Sequence, residues 1–351
     1  MTGASTWRRG RRLEGTAALW LLFLAAVVGC SSTSGSRDRA DTSPSVASTV
    51  PAATTEVPLV SVPEPATLTP VPVDGRVEAV VAMPSPSWLA ADDDSVFVRR
   101  DDGVVSRVDP VTDEVTDLAD VSGPLCQGIG VGFGAVWTCS GSDVVAVDPV
   151  TGELGDPIAV GKAAIQGHLG VGHGRVWVLV GDGGQLVGID PDTGELDVPI
   201  DLGVRGTDVA TTDEAVWVAS AVDDAVVRVD PSSAEVDLTV GGLTGASAIA
   251  FVGDAAWVAG SDGTYSLDVG SGELGAVVGG GAGANGGVAA DGASVWVRRA
   301  DPFLRQIDAE EGEVVEEITA DVESGGDVIV AFGALWVTAY DDAVLYRLSH
   351  R

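Results

Sequence analysis

Lysine is almost missing from this chain: Lys162 is the single one in 351 residues, and 19 basic groups in all stand against 52 acidic ones, a formal net charge of −33. Phosphate backbones are bound by clustered Lys and Arg, so this balance excludes a nucleic-acid partner. Cysteine is equally scarce, with Cys30, Cys126 and Cys139 the full set. That is too few for a disulfide-stapled scaffold, and no CxxC is present to build a thiolate metal site or a redox pair. A P-loop, an H-E-x-x-H and a G-x-S-x-G are absent as well, which removes the common phosphate-cradling, zinc-protease and serine-hydrolase readings. Long apolar runs reduce to one, residues 15–29, shorter than the roughly 20 residues that span a bilayer. What is present is a 45% hydrophobic content, enough for a large core, and a ring inventory in which nine of eighteen aromatics are Trp.

The apolar run follows Arg8, Arg9, Arg11 and Arg12 and ends in Val27-Val28-Gly29-Cys30. A basic n-region, a short apolar stretch and small residues before the cut describe an export signal over 1–29. The last four residues resemble the bacterial lipobox, which implies a diacylglycerol lipid on Cys30, now the mature N-terminus, and a position on the outer face of the cytoplasmic membrane. Residues 30–73 are rich in Ser, Thr, Pro, Ala and Val, with almost no Gly and no aromatic. Such a segment cannot offset its ordering entropy by burial, so it is expected to be a disordered tether. Only six of the basic and five of the acidic groups fall in 1–73, so the polyanion is the remainder, 74–351.

That remainder repeats. SVFV, AVWT, RVWV, AVWV, AAWV, SVWV and ALWV place Phe97, Trp137, Trp177, Trp217, Trp257, Trp296 and Trp336 at intervals of 40, 40, 40, 40, 39 and 40. A period near 40 with one aromatic strand per unit predicts an all-β, seven-bladed β-propeller of four-stranded blades. The V-W-V triplets are apolar on both faces, as a strand sandwiched between neighbouring blades must be. Strings such as DPVTGE and DPDTGE supply the corner chemistry: Asp to cap the turn, Pro to fix φ and Gly for the positive-φ position. DPDTGELD also has the look of a calcium loop, but its recurrence makes it a turn. After Trp336 one further strand, AVLYRL, ends the chain, while RVEAVVAM at 76–83 precedes the first unit. The N-terminal strand is therefore expected to complete the last blade, leaving no open edge. With a two-residue turn at Gly132-Phe133, Cys126 would lie directly opposite Cys139, and an exported context predicts a disulfide between them.

Aligning the units on the aromatic puts Trp88, Gly128, His168, Asp208, Ala248, Gly287 and Asp327 at one ring position nine residues earlier, at one mouth of the channel. Gln127, Gln166 and Asn285 come just before it, and Arg99 and Arg298 two residues after the aromatic, with Tyr340 nearby. This set can form a polar pocket in which Arg99 and Arg298 grip an anionic group while His168, Asp208 or Asp327 orients it. The same residues, read without a ligand, are a solvated rim. His168 is the one histidine at the mouth; no orienting partner for it is visible in the sequence, and a general base normally has one.

The A-V-W-V strand followed by V-D-P-x-T-G-E resembles the bacterial seven-bladed propellers with YVTN-type repeats, a family that includes streptogramin (virginiamycin B) lyases. The resemblance covers about 74–348 and implies a seven-bladed propeller; export as a lipoprotein is implied by the lipobox. A lyase of that family uses a histidine base and a magnesium ion held by acidic and histidine residues; here only His168 occupies the mouth, so no catalytic residue is carried over. Two functions follow as expectations. The first is a monomeric, non-catalytic binding or scaffolding module for a small molecule, a cell-wall component or a protein, with no metal and no cofactor beyond the lipid. The second is a divalent-metal-dependent lyase or lactone hydrolase using His168 with Asp208 or Asp327.

Overall fold

The computed structural model describes residues 68–121, 127–164, 167–279, 286–322 and 325–350. The signal segment, Cys30, most of the tether, Cys126, Gln166 and Asn285 lie outside the described residues. Each aromatic landmark sits in the second strand of an antiparallel sheet, and there are seven such sheets. Blade 4 is representative, with strands Asp208–Thr211, Val216–Ser220, Ala225–Asp230 and Glu235–Gly241 in consecutive order. The first strand of every blade touches the first strands of its neighbours, so these strands line the axis and the fourth strands lie outermost. The seven-bladed propeller read from the repeat is the fold.

Strand alternation converts the V-W-V triplets into the glue between blades. Successive side chains point to opposite faces, so the ring of each unit faces the next blade while its flanking valines face the previous one. Trp137 packs with Val176 and Val178, Trp177 with Val216 and Val218, and Trp296 with Leu335 and Val337. Phe97 takes the same place against Ile129 and Val136. Trp336 of blade 7 packs on Leu89, Val96 and Val98 of blade 1, which closes the ring through side chains. These rings are at most 3% exposed. Truncating any one of them would cost about 3–5 kcal/mol.

The backbone closes the ring as well. Val77–Ala82 is the outer strand of blade 7, hydrogen-bonded to Val344–Ser349, as expected for 76–83. One element was not foreseen. Val71–Pro72 pairs in parallel with Ile318–Thr319 at the outer edge of blade 6, and Val73 is buried beside Phe303 and Ile318. Residues 71–73, expected to belong to the tether, are therefore part of the propeller, because Val71 pairs with a strand edge and Val73 enters an apolar cluster.

Six blades join their third and fourth strands by one turn, at Asp109, Asp148, Asp190, Asp230, Asp268 and Asp308. In each, the Asp carboxylate accepts the backbone N–H groups two and three residues on. The residue after those has positive φ, supplied by Gly152, Gly194, Gly272 and Gly312 and, with more strain, by Asp113 and Ala234. These hydrogen bonds hold the carboxyls of Asp109, Asp148, Asp190 and Asp268 below their ordinary range through backbone donors, and that of Asp230 chiefly through Ser232. The carboxylates are occupied with their own backbone, which accounts for DPDTGELD without calcium.

The register of blade 2 corrects the cysteine geometry. Ile129 faces Thr138 and Gly132 faces Ala135, so the turn is Phe133-Gly134, not Gly132-Phe133. Both of its central residues have positive φ, 54° and 75°, the signature of a type I′ turn. The shift puts Gly128 beside Cys139: a Cβ at 128 would stand 3.5 Å from Cys139 Sγ. Cys126 itself lies outside the described residues.

A chain that begins at Trp88 lacks both Val71–Pro72 and the closing strand. We expect it to expose two strand edges, melt at lower temperature and associate on size-exclusion chromatography. A monodisperse monomer of unchanged melting temperature would contradict strand closure.

Candidate functional site

Because the first strands line the axis, residues at their starts point to the channel. Asp208 opens the strand Asp208–Thr211, Asp327 directly precedes Val328–Ala331, and His168 lies two residues ahead of Gly170–Gly172. These belong to blades 4, 7 and 3. The structure brings them together. His168 Nδ1 lies 2.9 Å from Asp208 Oδ1 and Nε2 lies 3.1 Å from Asp327 Oδ2, so the imidazole reaches across the channel to a blade 159 residues away in sequence.

Both carboxylates are held from more than one side. Asp208 Oδ1 also accepts the His168 backbone N–H at 2.8 Å. Asp327 accepts Leu89 N–H at 2.9 Å on Oδ2 and its neighbour Val328 N–H at 2.8 Å on Oδ1. Their side chains are 2% and 1% exposed, while His168 retains 25%. Burial by itself would lower the His168 pKa, yet the charges of Asp327 and Asp208 and their hydrogen bonds outweigh it and raise the pKa well above 6.5. With a carboxylate oxygen at each ring nitrogen, this geometry favours the imidazolium, which donates from both. One cation between two carboxylates leaves one negative charge, and the three backbone N–H groups compensate it. Glycine is required at the matching position of blade 6, since a Cβ on Gly287 would stand 1.9 Å from Asp327 Oδ1.

Trp88 covers this bridge. Its ring meets His168 edge-on, centroids 5.0 Å apart at 79°, and Nε1 donates to Gln127 Oε1 at 3.4 Å. Gln127 in turn donates to Asp101 at 2.6 Å, a partner the sequence had not suggested. Five expected residues, Trp88, Gln127, His168, Asp208 and Asp327, therefore form one connected cluster. On the same face, beside Asp208, a cleft of about 600 Å³ opens between blades 3 and 4, lined by Ala163, Ala164, Asp182, Arg205, Thr207 and Val222.

The arginines do something else. Arg99 and Arg298 are 3% and 0% exposed and turn into the blade interfaces. Arg298 donates to the carbonyls of Thr338 at 3.1 Å, Phe303 at 3.3 Å and Arg299, and lies 4.2 Å over the Phe303 ring. Desolvation lowers its pKa to about 9, still cationic at neutral pH. Arg99 likewise donates to the carbonyl of Arg100. The expectation that this pair grips an anion at the mouth is corrected: two residues past the aromatic is already inside the wedge, where main-chain carbonyls are the available acceptors. Tyr340 sits exposed in the turn that Ala343 N–H closes onto its carbonyl.

A second set of arginines fastens neighbouring blades. Arg107, Arg228 and Arg347 each lie opposite the landmark ring of their own blade and donate to a turn carbonyl of the next, at Pro149, at Val269 with Gly270, and at Pro110. The signal was visible as the Arg ten or eleven residues after the aromatic in VSRVDP, VVRVDP and LYRLSH. No group of three or more His, Cys, Asp or Glu able to hold a metal ion occurs among the described residues.

No protein-family model matches the chain, and no curated protein matches it. Among solved structures it is similar to the WD40 β-propeller domain of Doa1, at 14% identity over 79% of this chain and 97% of that one, with a TM-score of 0.64. It is also similar to the computationally designed Ika8 protein, at 15% identity over 78% of this chain and 100% of that one, with a TM-score of 0.59. At these identities the likeness shows the propeller fold alone.

A raised His168 pKa links the bridge to pH. Its stabilisation is complete below the unfolded value of 6.5 and is lost as pH rises through the folded value. We expect His168→Gln to lower unfolding free energy by about 3 kcal/mol in mildly acid solution, because two buried carboxylates lose their counter-ion. The gap to the parent protein should narrow at alkaline pH. Denaturant melts of both proteins across that range check this, and a gap independent of pH would contradict it.

Proposed function

We propose that this protein is a lipid-anchored, extracytoplasmic propeller that binds or scaffolds rather than catalyses. A propeller offers loops on a rigid ring, and binding is the use this fold supports most directly. The observation that carries the non-catalytic reading is that both ring nitrogens of His168 are engaged by carboxylates. A general base needs an unprotonated nitrogen within reach of a substrate, and a metal ligand needs a free lone pair. With Asp208 on one nitrogen and Asp327 on the other, His168 offers neither. Its chemistry is that of a cross-channel tie.

The ligand-facing surface in this reading is the channel mouth around Trp88, Gln127 and Asp101, with the adjoining cleft. A half-buried indole beside hydrogen-bonding side chains suits a small molecule, an envelope glycan or a protein loop. The lipobox at Cys30 and the Pro-rich tether support a position outside the cytoplasmic membrane, and the YVTN-type repeat pattern supports kinship with bacterial surface propellers. A disulfide between Cys126 and Cys139 belongs to the same proposal, supported by the exported context and by the complete burial of Cys139.

The competing lyase reading depends on a divalent ion, so it is separable at the bench. On the full-length protein, we expect the melting temperature to be the same with magnesium, with calcium and with a chelator. A rise of several degrees with either ion, lost in Asp208→Asn, would overturn the non-catalytic assignment. In cells, Cys30→Ala should abolish incorporation of a labelled fatty acid and release the protein from membranes; retained label would contradict the anchor.

A further inference from the structure

The face opposite the mouth carries the turns between first and second strands, which ring the axis, and the Asp turns, which lie further out. Two of the inner turns are unusual. Phe133 in blade 2 and Phe332 in blade 7 occupy the first central position of type I′ turns at φ 54° and 53°, each followed by a positive-φ glycine. Asn, Asp and Gly are the residues that fit there, and a bulky side chain is strained. Nor is either ring placed for burial, with 50% and 43% of its surface exposed. The Phe332 turn is firmly seated, since His350 Nδ1 donates to the Gly333 carbonyl at 2.7 Å.

Blade 1 separates these two blades, and its inner turn presents Asp93 and Asp94, both exposed, while Asp92 folds back to cap the turn. Outward on the same face stand Val111 and Val150, 83% and 71% exposed. The arc over blades 7, 1 and 2 thus alternates apolar knobs with carboxylates. Of the arginines in these blades, Arg107 and Arg347 face the blade interfaces and donate to Pro149, Pro110 and Asp113, and Arg76 is paired with Glu316. Among the described residues, the exposed charge on these inner turns is that of Asp93 and Asp94.

We propose that this arc is a docking surface for a basic, amphipathic segment of a partner protein, with Phe133 and Phe332 entering its apolar side and Asp93 and Asp94 pairing with its Lys or Arg. Charge complementarity decides the occupant. An anionic membrane surface or wall polymer would be repelled by these carboxylates, and a second copy of this chain, itself strongly acidic, would be too. The exposed rings supply the anchors such an interface needs, and the carboxylates its steering and orientation.

The test uses the full-length protein and a fluorescent peptide of alternating lysine and leucine, with a glutamate–leucine peptide of equal length as control, read by anisotropy. Binding of the basic peptide alone is expected. Phe133→Asn/Phe332→Asn should weaken it at least about tenfold. Asn is favoured in these turns, so the same variant should melt at or above the parent temperature, which separates a docking role from a structural one. Asp93→Asn/Asp94→Asn should weaken binding and flatten its salt dependence. Equal binding of both peptides, undiminished binding by the Phe variant, or a lower melting temperature in that variant would overturn the proposal. So would Phe-dependent binding to neutral phospholipid vesicles with none to the peptide, which would assign the knobs to lipid.

Discussion

A four-stranded blade cannot bury both of its faces alone, and every other feature of this protein follows from how it escapes that limit. Each unit offers an aromatic ring to the next blade and valines to the previous one, a scheme that works only if the last unit meets the first. Trp336 against Leu89, Val96 and Val98 completes it, as does the strand Val77–Ala82 on the backbone side. Closure fixes the radius of the channel. It also brings His168, Asp208 and Asp327 within hydrogen-bond reach, although they come from three blades and span 159 positions.

The bridge belongs to the closure itself. Asp327 binds His168 of blade 3 and the Leu89 amide of blade 1 through the same oxygen, so the carboxylate that ties the channel also fastens the seam between the last blade and the first. Thr338 adds a second fastening, its hydroxyl donating to the Ser87 carbonyl at 2.9 Å. Removing the imidazolium would therefore act on the seam and on the channel together. A side chain held this way ties three blades together across the channel.

Much of this was legible in the sequence, for identifiable reasons. The 40-residue period and the V-W-V alternation carry fold, blade number and closure, since burial and strand parity are written directly into residue type. Ring alignment placed His168, Asp208, Asp327 and Trp88 at one level, because equivalent positions in a cyclic repeat share a height on the axis. It could not say which of the seven touch across the channel, so His168 read as a histidine without an orienting partner when it has two. Arg99 and Arg298 were misplaced for a different reason. Repeat position gives height and not direction, and a side chain two residues past the ring turns into the wedge. The turn at Phe133-Gly134 was missed by one residue because Phe is a poor occupant of positive φ. The same improbability singles it out on the opposite face.

The acidic excess reads differently once the turns are resolved. Six aspartates cap their own backbones, Asp208 and Asp327 bind an imidazolium, and Asp113 and Asp237 meet arginines. Of what stays exposed, Asp93 and Asp94 sit on the inner turn of blade 1, where the proposed docking surface lies. The claim on which the functional reading turns is the protonation of His168, and nitrogen-15 NMR of the labelled protein measures it directly. Two protonated ring nitrogens on His168 at neutral pH, unchanged until well above 6.5, are the expected result; a neutral tautomer at neutral pH, titrating at or below that value, would contradict the account.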